Sequence, residues 1–583
     1  MKDLRYINQF IWKYRKLLFL GIFFIIIANI FALYPAEFVR KAFDSILQVI
    51  TEGESKKNIH KLLLKYGGLI ISFAILKGIF MYFMRQTIIV MSRNIEYDLK
   101  NIVYKKYQAL SMHFYKKNKT GDLMNRITED LSRVRMYVGP VLMYSINMVA
   151  LFSLVITKMF SISISLSLYV LMPLPILAIS VYYVSLKINK KSEKVQEQLS
   201  TLTTITQETF SGIRILKSFV NEHNSIKSFI KNCKEYTHRQ LDLVKIEAIF
   251  FPLIVTMIGI STILTVYIGG IESFNGNISS GNIAEFIIYV NMLAWPVASI
   301  GWVTSLIQRA AASQKRINEL LQTPLDIINT TEKLTSINGD ITFKNVSFSY
   351  NNKSADILNN INLIIKAGSK VGIFGKTGSG KSTLLNLICR MYDPTSGKII
   401  IGNQNIKNLN LYNLRDSISY IPQDGYLFSG DIQENITFGT NKISKDRLDQ
   451  SISLAAIQDD ITKFKSKLKT LVGERGVQLS GGQKQRLAIA RALYKERDIY
   501  ILDDCMSAID ANKEKDILKN LHEFMKHKTV IVVSHRISTL ANTDHIIVLN
   551  QGRIIEEGSH KNLLTQEGFY AKIYLEQQNK STK

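Results

Sequence analysis

The sequence predicts an all-helical membrane domain of six spanning helices with long cytoplasmic extensions, followed by an α/β domain built on a P-loop. Three observations carry this. Six charge-poor apolar runs of spanning length lie in the first 310 residues. After Ala312 those runs stop and short strand-like segments begin. Gly375–Ser382 then reads GKTGSGKS between an apolar strand and an apolar helix.

The first run, Leu17–Tyr34, has no charge across 18 residues. The others cover about 62–84, 137–157, 162–186, 248–271 and 282–307. One such run alone could be a buried helix of a soluble core, but six in succession match the roughly 20 residues that cross a ~30 Å hydrocarbon layer. The first run leads into no small-x-small cleavage site, so it is not read as a removable signal. Disorder is excluded by a 46% hydrophobic fraction, 28 Phe, 26 Tyr and a mean hydropathy of +0.07. Cys233, Cys389 and Cys505 have no short spacing and indicate neither a disulfide framework nor a zinc site.

The net charge of +26 would suit nucleic acid as well as a membrane surface until it is divided by topology. Residues 1–320 carry 38 Lys and Arg. With the N-terminus inside, only Arg40, Lys41, Lys56, Lys57, Lys61 and Lys158 fall in the outer loops at about 35–61, 158–161 and 272–281. The excess of basic residues inside places the N-terminus and the C-terminal half in the cytoplasm. The inner segments, about 85–136 and 187–247, are too long for turns and read as membrane helices running into the cytoplasm and folding back. Ile205, Phe210, Ile213, Leu216 and Phe219 keep helical spacing there, and Lys119-Thr120-Gly121-Asp122 is expected to be a turn. A solvated coiled stalk is the other reading of these segments.

The expected boundaries are a membrane domain over 1–317, a polar linker over 318–338, an α/β P-loop nucleotide-binding domain over 339–575 and a tail over 576–583. Asp340–Tyr350 alternates like a strand and Lys370–Phe374 is a short buried one. In the following loop, backbone N–H groups of Gly375, Lys376, Thr377, Gly378, Ser379 and Gly380 are placed to converge on a β-phosphate at the start of the next helix. Lys381 would bridge β- and γ-oxygens, and the Ser382 hydroxyl would ligate Mg²⁺. Ile499–Asp503 is an apolar strand ending in two carboxylates, with Asp503 placed to hold the Mg²⁺ through water. Val530–Val533 is a similar strand that delivers His535 to the same edge.

Leu479-Ser480-Gly481-Gly482-Gln483 attaches a family to these residues. The chain resembles the ATP-binding cassette exporters, as a half-transporter with one membrane domain and one cassette. The resemblance runs from about Lys16 to Tyr574. It implies that Tyr350 stacks on adenine, that Thr383 joins the ATP-binding loop, and that Gln423 serves both Mg²⁺ and the attacking water. It identifies Gly473-Glu474-Arg475-Gly476 as the loop typical of exporters, Ser507 and Asp510 as the D-loop, and His535 as the switch histidine. Thr120–Arg126 and Glu208–Phe219 match the loops that carry the coupling helices. It also implies a dimer in which Ser480, Gly481, Gly482 and Gln483 complete the ATP site of the partner chain, in a multi-pass protein of a bacterial plasma membrane.

One residue departs from the family pattern. Asp504 stands where the family carries the glutamate that acts on the attacking water, and the spacing from Asp503 to Asp510 fixes the register. One methylene less draws the carboxylate back by about 1–1.5 Å, and a misplacement of about 1 Å can cost ~10²-fold in rate. Two assemblies remain open: a heterodimer in which this chain holds the degenerate site, which is favoured, and a homodimer with a slow working aspartate. The retained His535 speaks for the second.

No peptidase-like extension precedes the first span, which argues against a processing peptide exporter. Phe23, Phe24, Tyr144, Tyr289, Trp295 and Trp302 suit amphipathic or hydrophobic cargo, although such rings more often face lipid or pack against neighbours. Lys77 lies in an apolar run, where a charge needs water or a partner; anionic cargo and Glu37 are the two candidates. An ATP-controlled gate that does not pump also stays open. Nucleic acid is set aside as a partner, because an ATPase handling it would lack the six spans.

Overall fold

The computed structural model describes every residue except 1, 53–55, 351–354, 441, 474, 475, 477, 478, 582 and 583. It divides into two units: residues 1–108 with 120–323, and residues 109–119 with 324–583.

The first unit is helical. Six apolar helical stretches long enough to cross a membrane run over Arg15–Val49, His60–Ala109, Thr120–Ile162, Ile164–Ser211, Glu222–Phe274 and Ser280–Gln322. Five of the apolar runs read from the sequence each lie inside one of them, whereas the run at about 162–186 begins on the last residue of the third stretch and continues in the fourth after a break at Ser163. The helix over Lys56–Ala109 has 54 residues. At 1.5 Å per residue that is about 80 Å, more than twice the ~30 Å hydrocarbon layer. The third stretch carries π-turns at Arg126–Asp130 and Tyr137–Val141, the latter around Pro140, which removes one backbone donor.

Several buried polar groups inside this unit are paired. Glu285, 1% exposed, meets the Arg40 guanidinium at 3.3 Å and accepts from the Tyr289 hydroxyl at 2.7 Å. Tyr289 is therefore a packing and hydrogen-bonding residue, fully buried beside Phe286 and Val290. Trp295 is exposed and Trp302 packs edge-on against Tyr144. Glu37 is engaged by Lys41 at 2.9 Å and Lys158 at 3.6 Å, so the pairing of Glu37 with Lys77 does not form. Lys77 is half-buried, and no ion pair to it is found among the described residues. Asp130 is wholly buried, accepting from Arg316 Nε at 2.8 Å and from the Ser313 hydroxyl at 2.8 Å.

Three expectations need correction. Gly121 and Asp122 are helical, in Thr120–Asn125, and the chain reverses instead at Leu110–Ser111 and Asn118–Lys119 around a short helix, Met112–Lys117. Turn and helix-start residues are the same types, and here Asp122 sits in a first turn, where the helix dipole favours it, and pairs with Arg126 at 2.9 Å. The last spanning helix continues through residues 318–322 because Ile317 and Leu320 are fully buried, so the connector begins at Thr323. Residues 576–581 are no tail but the end of a helix, Phe569–Ser581. Glu474 and Arg475 lie outside the described residues.

The second unit carries two sheets. Ile341–Phe348 (β1), Leu358–Ile365 (β2), Ser396–Ile401 (β4) and Gln404–Asn405 (β5) form an antiparallel sheet in the order β2-β1-β4-β5. Lys370–Phe374 (β3), Ile418–Ile421 (β6), Ile499–Asp503 (β7), Thr529–Val533 (β8), His545–Asn550 (β9) and Arg553–Gly558 (β10) form the second, in the order β10-β9-β3-β8-β7-β6. All its pairings are parallel except β9 with β10. Central parallel strands are covered on both faces, which is why β3 and β7 read as unbroken apolar runs. One apolar core lies between the two sheets, around Phe343, Leu385 and Ile373, and a second packs the other face through Ile489, Leu493, Tyr500 and Leu502.

Removing the Asp130 carboxylate strands Arg316 and Ser313. Asp130→Ala should cost about 3 kcal/mol, at the low end for buried pairs because Arg316 is partly exposed, whereas Asp130→Asn should cost less. Melting of the solubilised protein checks this, and equal losses in the two variants would refute it.

Candidate active site

Parallel strands present ligands at their carboxyl ends, and in this sheet four neighbours do so together. β3 leads into Gly375–Gly380, β8 into Ser534-His535, β7 into Asp504 and β6 into Pro422-Gln423. The loop after β3 depends on glycine at two points. A Cβ on Gly375 would stand 2.3 Å from the Leu549 carbonyl oxygen, and Gly380 has φ +103°, a left-handed conformation that only glycine adopts without strain. Gly380 caps Lys381–Ile388 without a side-chain hydrogen bond, leaving the first-turn N–H groups turned into the loop.

Charge is buried here. Lys381 is 7% exposed and donates from Nζ to the carbonyls of Gly375 at 2.8 Å and Lys376 at 2.9 Å. No carboxylate among the described residues forms an ion pair with it within 4 Å, and burial lowers its pKa. The Ser379 hydroxyl is buried without a hydrogen-bond partner. A buried ammonium, an unpartnered hydroxyl and an uncapped helix start together fit a phosphate. Asp503 is 4% exposed; Oδ1 accepts from the Ser382 hydroxyl at 3.3 Å and Oδ2 from the Tyr420 hydroxyl at 3.1 Å. Burial holds its carboxyl above the usual range and, with the Asp503 charge, pushes the Tyr420 phenol up. A hydroxyl and one carboxylate beside a phosphate site form the oxygen set that Mg²⁺ takes.

Asp504 follows with φ +45° and donates its N–H to the Val533 carbonyl at 2.9 Å. In this conformation its Oδ2 lies 3.4 Å from Gln423 Nε2 and 3.9 Å from His535 Nε2. Gln423 is thus joined to Asp504, and no hydrogen bond among the described residues joins it to Ser382 or Asp503. The Tyr350 hydroxyl lies 3.1 Å from Thr383 Oγ1. The Lys116 ammonium stands 4.0 Å from the Tyr350 ring centroid, and Ser111 donates to Asp326 at 2.5 Å, so the short helix Met112–Lys117 belongs to this unit.

The signature residues lie elsewhere. Ser480 caps the helix Gly481–Tyr494 in a capping box with Gln483, whose amide donates to Asp460 at 2.9 Å. No hydrogen bond among the described residues joins Ser480–Gln483 to the loop over Gly375–Ser382. Asp510 caps Ala511–Phe524, accepting from the Lys513 N–H. Sequence reasoning missed Gln485, whose amide donates to the Gln423 carbonyl at 3.3 Å and the Ser507 hydroxyl at 3.2 Å and accepts from the Ala508 N–H at 2.9 Å. A buried glutamine on the otherwise apolar face of that helix was its only local signal.

The site defines a P-loop ATPase domain joined to six spanning helices. Comparison with known proteins makes the assignment specific. Residues 18–297 match the ABC transporter transmembrane region and residues 358–507 the ABC transporter family. The probable multidrug resistance ABC transporter ATP-binding/permease protein YheI of Bacillus subtilis is 32% identical, over 96% of this chain and 95% of its own. The ATP-dependent lipid A-core flippase of Syntrophus aciditrophicus is 33% identical over 87% and 84%. The structure of a bacterial Atm1-family ABC exporter with ATP bound shares the fold, with a TM-score of 0.79 and 24% identity over 97% of this chain and 98% of that one. The chain belongs to the ABC transporters. It is a multi-pass membrane protein with a cytoplasmic ATP-binding domain and an ATPase-coupled translocase of the exporter type.

The buried Asp503 carboxylate gives a test. Its folded pKa is raised, so the domain loses stability as pH climbs from about 4 through the shifted value, and a bound cation offsets that loss. Asp503→Asn should melt no lower than the parent without ligand at pH 7. The parent should gain about 2.7 kcal/mol from Mg²⁺ and ATP at a hundredfold excess over Kd, and the variant clearly less. Equal gains would remove Asp503 from the metal site.

Proposed function

We propose that this chain is one half of an exporter that moves amphipathic or hydrophobic small molecules, drug-like or lipid-like, by alternating access, and that its own ATP site is degenerate. The carrying observation is Asp504, one methylene short of the family's glutamate, with its carboxylate directed at Gln423 and His535. Gly375, Lys376, Thr377, Gly378, Ser379, Gly380 and Lys381 would cradle the phosphates, with Tyr350 and Thr383 beside the base. Mg²⁺ would be held by Ser382 and Asp503, with Gln423 reaching it on closure, and would offset phosphate charge there. Asp504 and His535 would orient the attacking water, but the shorter carboxylate leaves it beyond hydrogen-bond reach. Ser480, Gly481 and Gly482, at a helix start, would meet the γ-phosphate held by a second half-transporter carrying glutamate, while Ser507 and Asp510 line the same interface. Closure of the two cassettes around ATP would then drive the spanning helices from inward- to outward-facing.

The cargo class rests on two supports. One relative is named for multidrug resistance and one for lipid A-core. An apolar groove of about 530 Å³, lined by Ile22, Ile26, Ile146, Val149 and Leu154, opens between the first and third spanning helices. A homodimer with a slow aspartate site is the second reading, favoured by the approach of His535 to Asp504.

The purified chain should hydrolyse ATP poorly, and Asp504→Glu should raise kcat by up to about 10²-fold. Brisk turnover by the parent, unchanged in that variant, would favour the homodimer and end the degenerate-site reading. Lys77→Ala should change which anionic cargo is exported while assembly is kept. An unaltered cargo profile would return Lys77 to a structural role.

A further inference from the structure

The loop that carries His535 is held by a residue far along the chain. Gln577 lies on the helix Phe569–Ser581, and its side-chain amide spans the loop: Nε2 donates to the His535 carbonyl at 2.7 Å, and Oε1 accepts from the Ile537 N–H at 3.0 Å. One planar amide thus pairs with the residues on either side of Arg536, the extended N-cap of the helix Ile537–Leu540, and satisfies the first N–H of that helix. On the other side the Arg536 guanidinium pairs with Glu514, which is 6% exposed and also accepts from the Thr539 hydroxyl at 2.8 Å. The Arg536 N–H donates to the Ser534 hydroxyl at 3.0 Å.

The helix is seated well enough to act as a support. Tyr570, Ile573 and Tyr574 pack on the cluster that includes Phe374, Ile537 and Leu540, and Tyr570 is wholly buried. Positions 570, 573, 574 and 577 follow the i, i+3, i+4, i+7 pattern of one helix face. Gln577 is therefore the polar end of an apolar stripe that locks onto the His535 loop.

We propose that Gln577 is a positioning residue for His535, through which the C-terminal helix sets the distance between the imidazole and the water-facing side of Asp504. The proposal deepens the ATPase reading above and rests on His535 acting at that site. It gives the end of the chain a route to the catalytic edge: displacement of this helix releases the loop without touching the P-loop or either aspartate.

The test uses the full-length protein and Gln577→Met, which keeps length and packing but removes both hydrogen bonds. In hydrogen exchange, the peptide over 534–541 should exchange faster in the variant while β8 and β3 peptides do not change. Unaltered exchange overturns the proposal whatever the rate of turnover. For function, the substitution is placed in the Asp504→Glu background, or in the parent should that chain already turn over well. There kcat should fall about tenfold with KM for ATP kept. Combined with His535→Ala, Gln577→Met should cause no further loss. An equal loss in that background, or a rise in KM with kcat kept, would show that Gln577 acts other than through His535. The degenerate-site reading is decided separately, by comparing Asp504→Glu with the parent.

Discussion

The cassette depends on two charges buried at the carboxyl edge of one parallel sheet. Lys381 and Asp503 are each under a tenth exposed, neither forms an ion pair within 4 Å among the described residues, and burial disfavours the charged form of both. Such groups persist where a ligand supplies the missing counter-charge. A nucleotide phosphate would answer Lys381 and its metal would answer Asp503, so that binding would neutralise in one event what the fold leaves exposed to penalty. The glycine loop, the uncapped helix start and the order β3-β8-β7-β6 all bring donors to this one place.

Binding and hydrolysis are separable in this arrangement. The groups that would hold the phosphates sit in one loop and at one helix start, whereas orientation of the water would fall to Asp504, Gln423 and His535 on three different strand ends. The left-handed residue Asp504 has its short carboxylate toward Gln423 and His535. A chain that binds ATP well and cleaves it slowly still contributes to a closed dimer, since closure draws on binding alone.

The fold was legible where a local rule suffices. Charge-poor runs gave the spans, and the spacing of Gly375–Ser382 between a strand and a helix marked the loop, because backbone geometry there tolerates few sequences. Features made by contacts between distant segments were not legible. Lys116 above Tyr350, Tyr420 on Asp503 and Gln577 around His535 join residues that no periodicity links. Local rules misled in two places, because Thr120-Gly121-Asp122 suits a helix start as well as a turn, and because a polar surface over residues 318–322 masks the buried Leu320. Lys77 and Glu37 show the same limit: proximity in hydropathy is not proximity in space, and Glu37 is engaged by Lys41 and Lys158 instead.

A degenerate site would bind Mg²⁺ and ATP but not carry the nucleotide efficiently through hydrolysis. Equilibrium binding of labelled ATP to the purified chain reads the first property, and vanadate trapping reads the second, because orthovanadate locks only sites that have cleaved the γ-phosphate. Saturable ATP binding with little trapped ADP is expected from the degenerate-site reading. Trapped ADP approaching one per chain would contradict it.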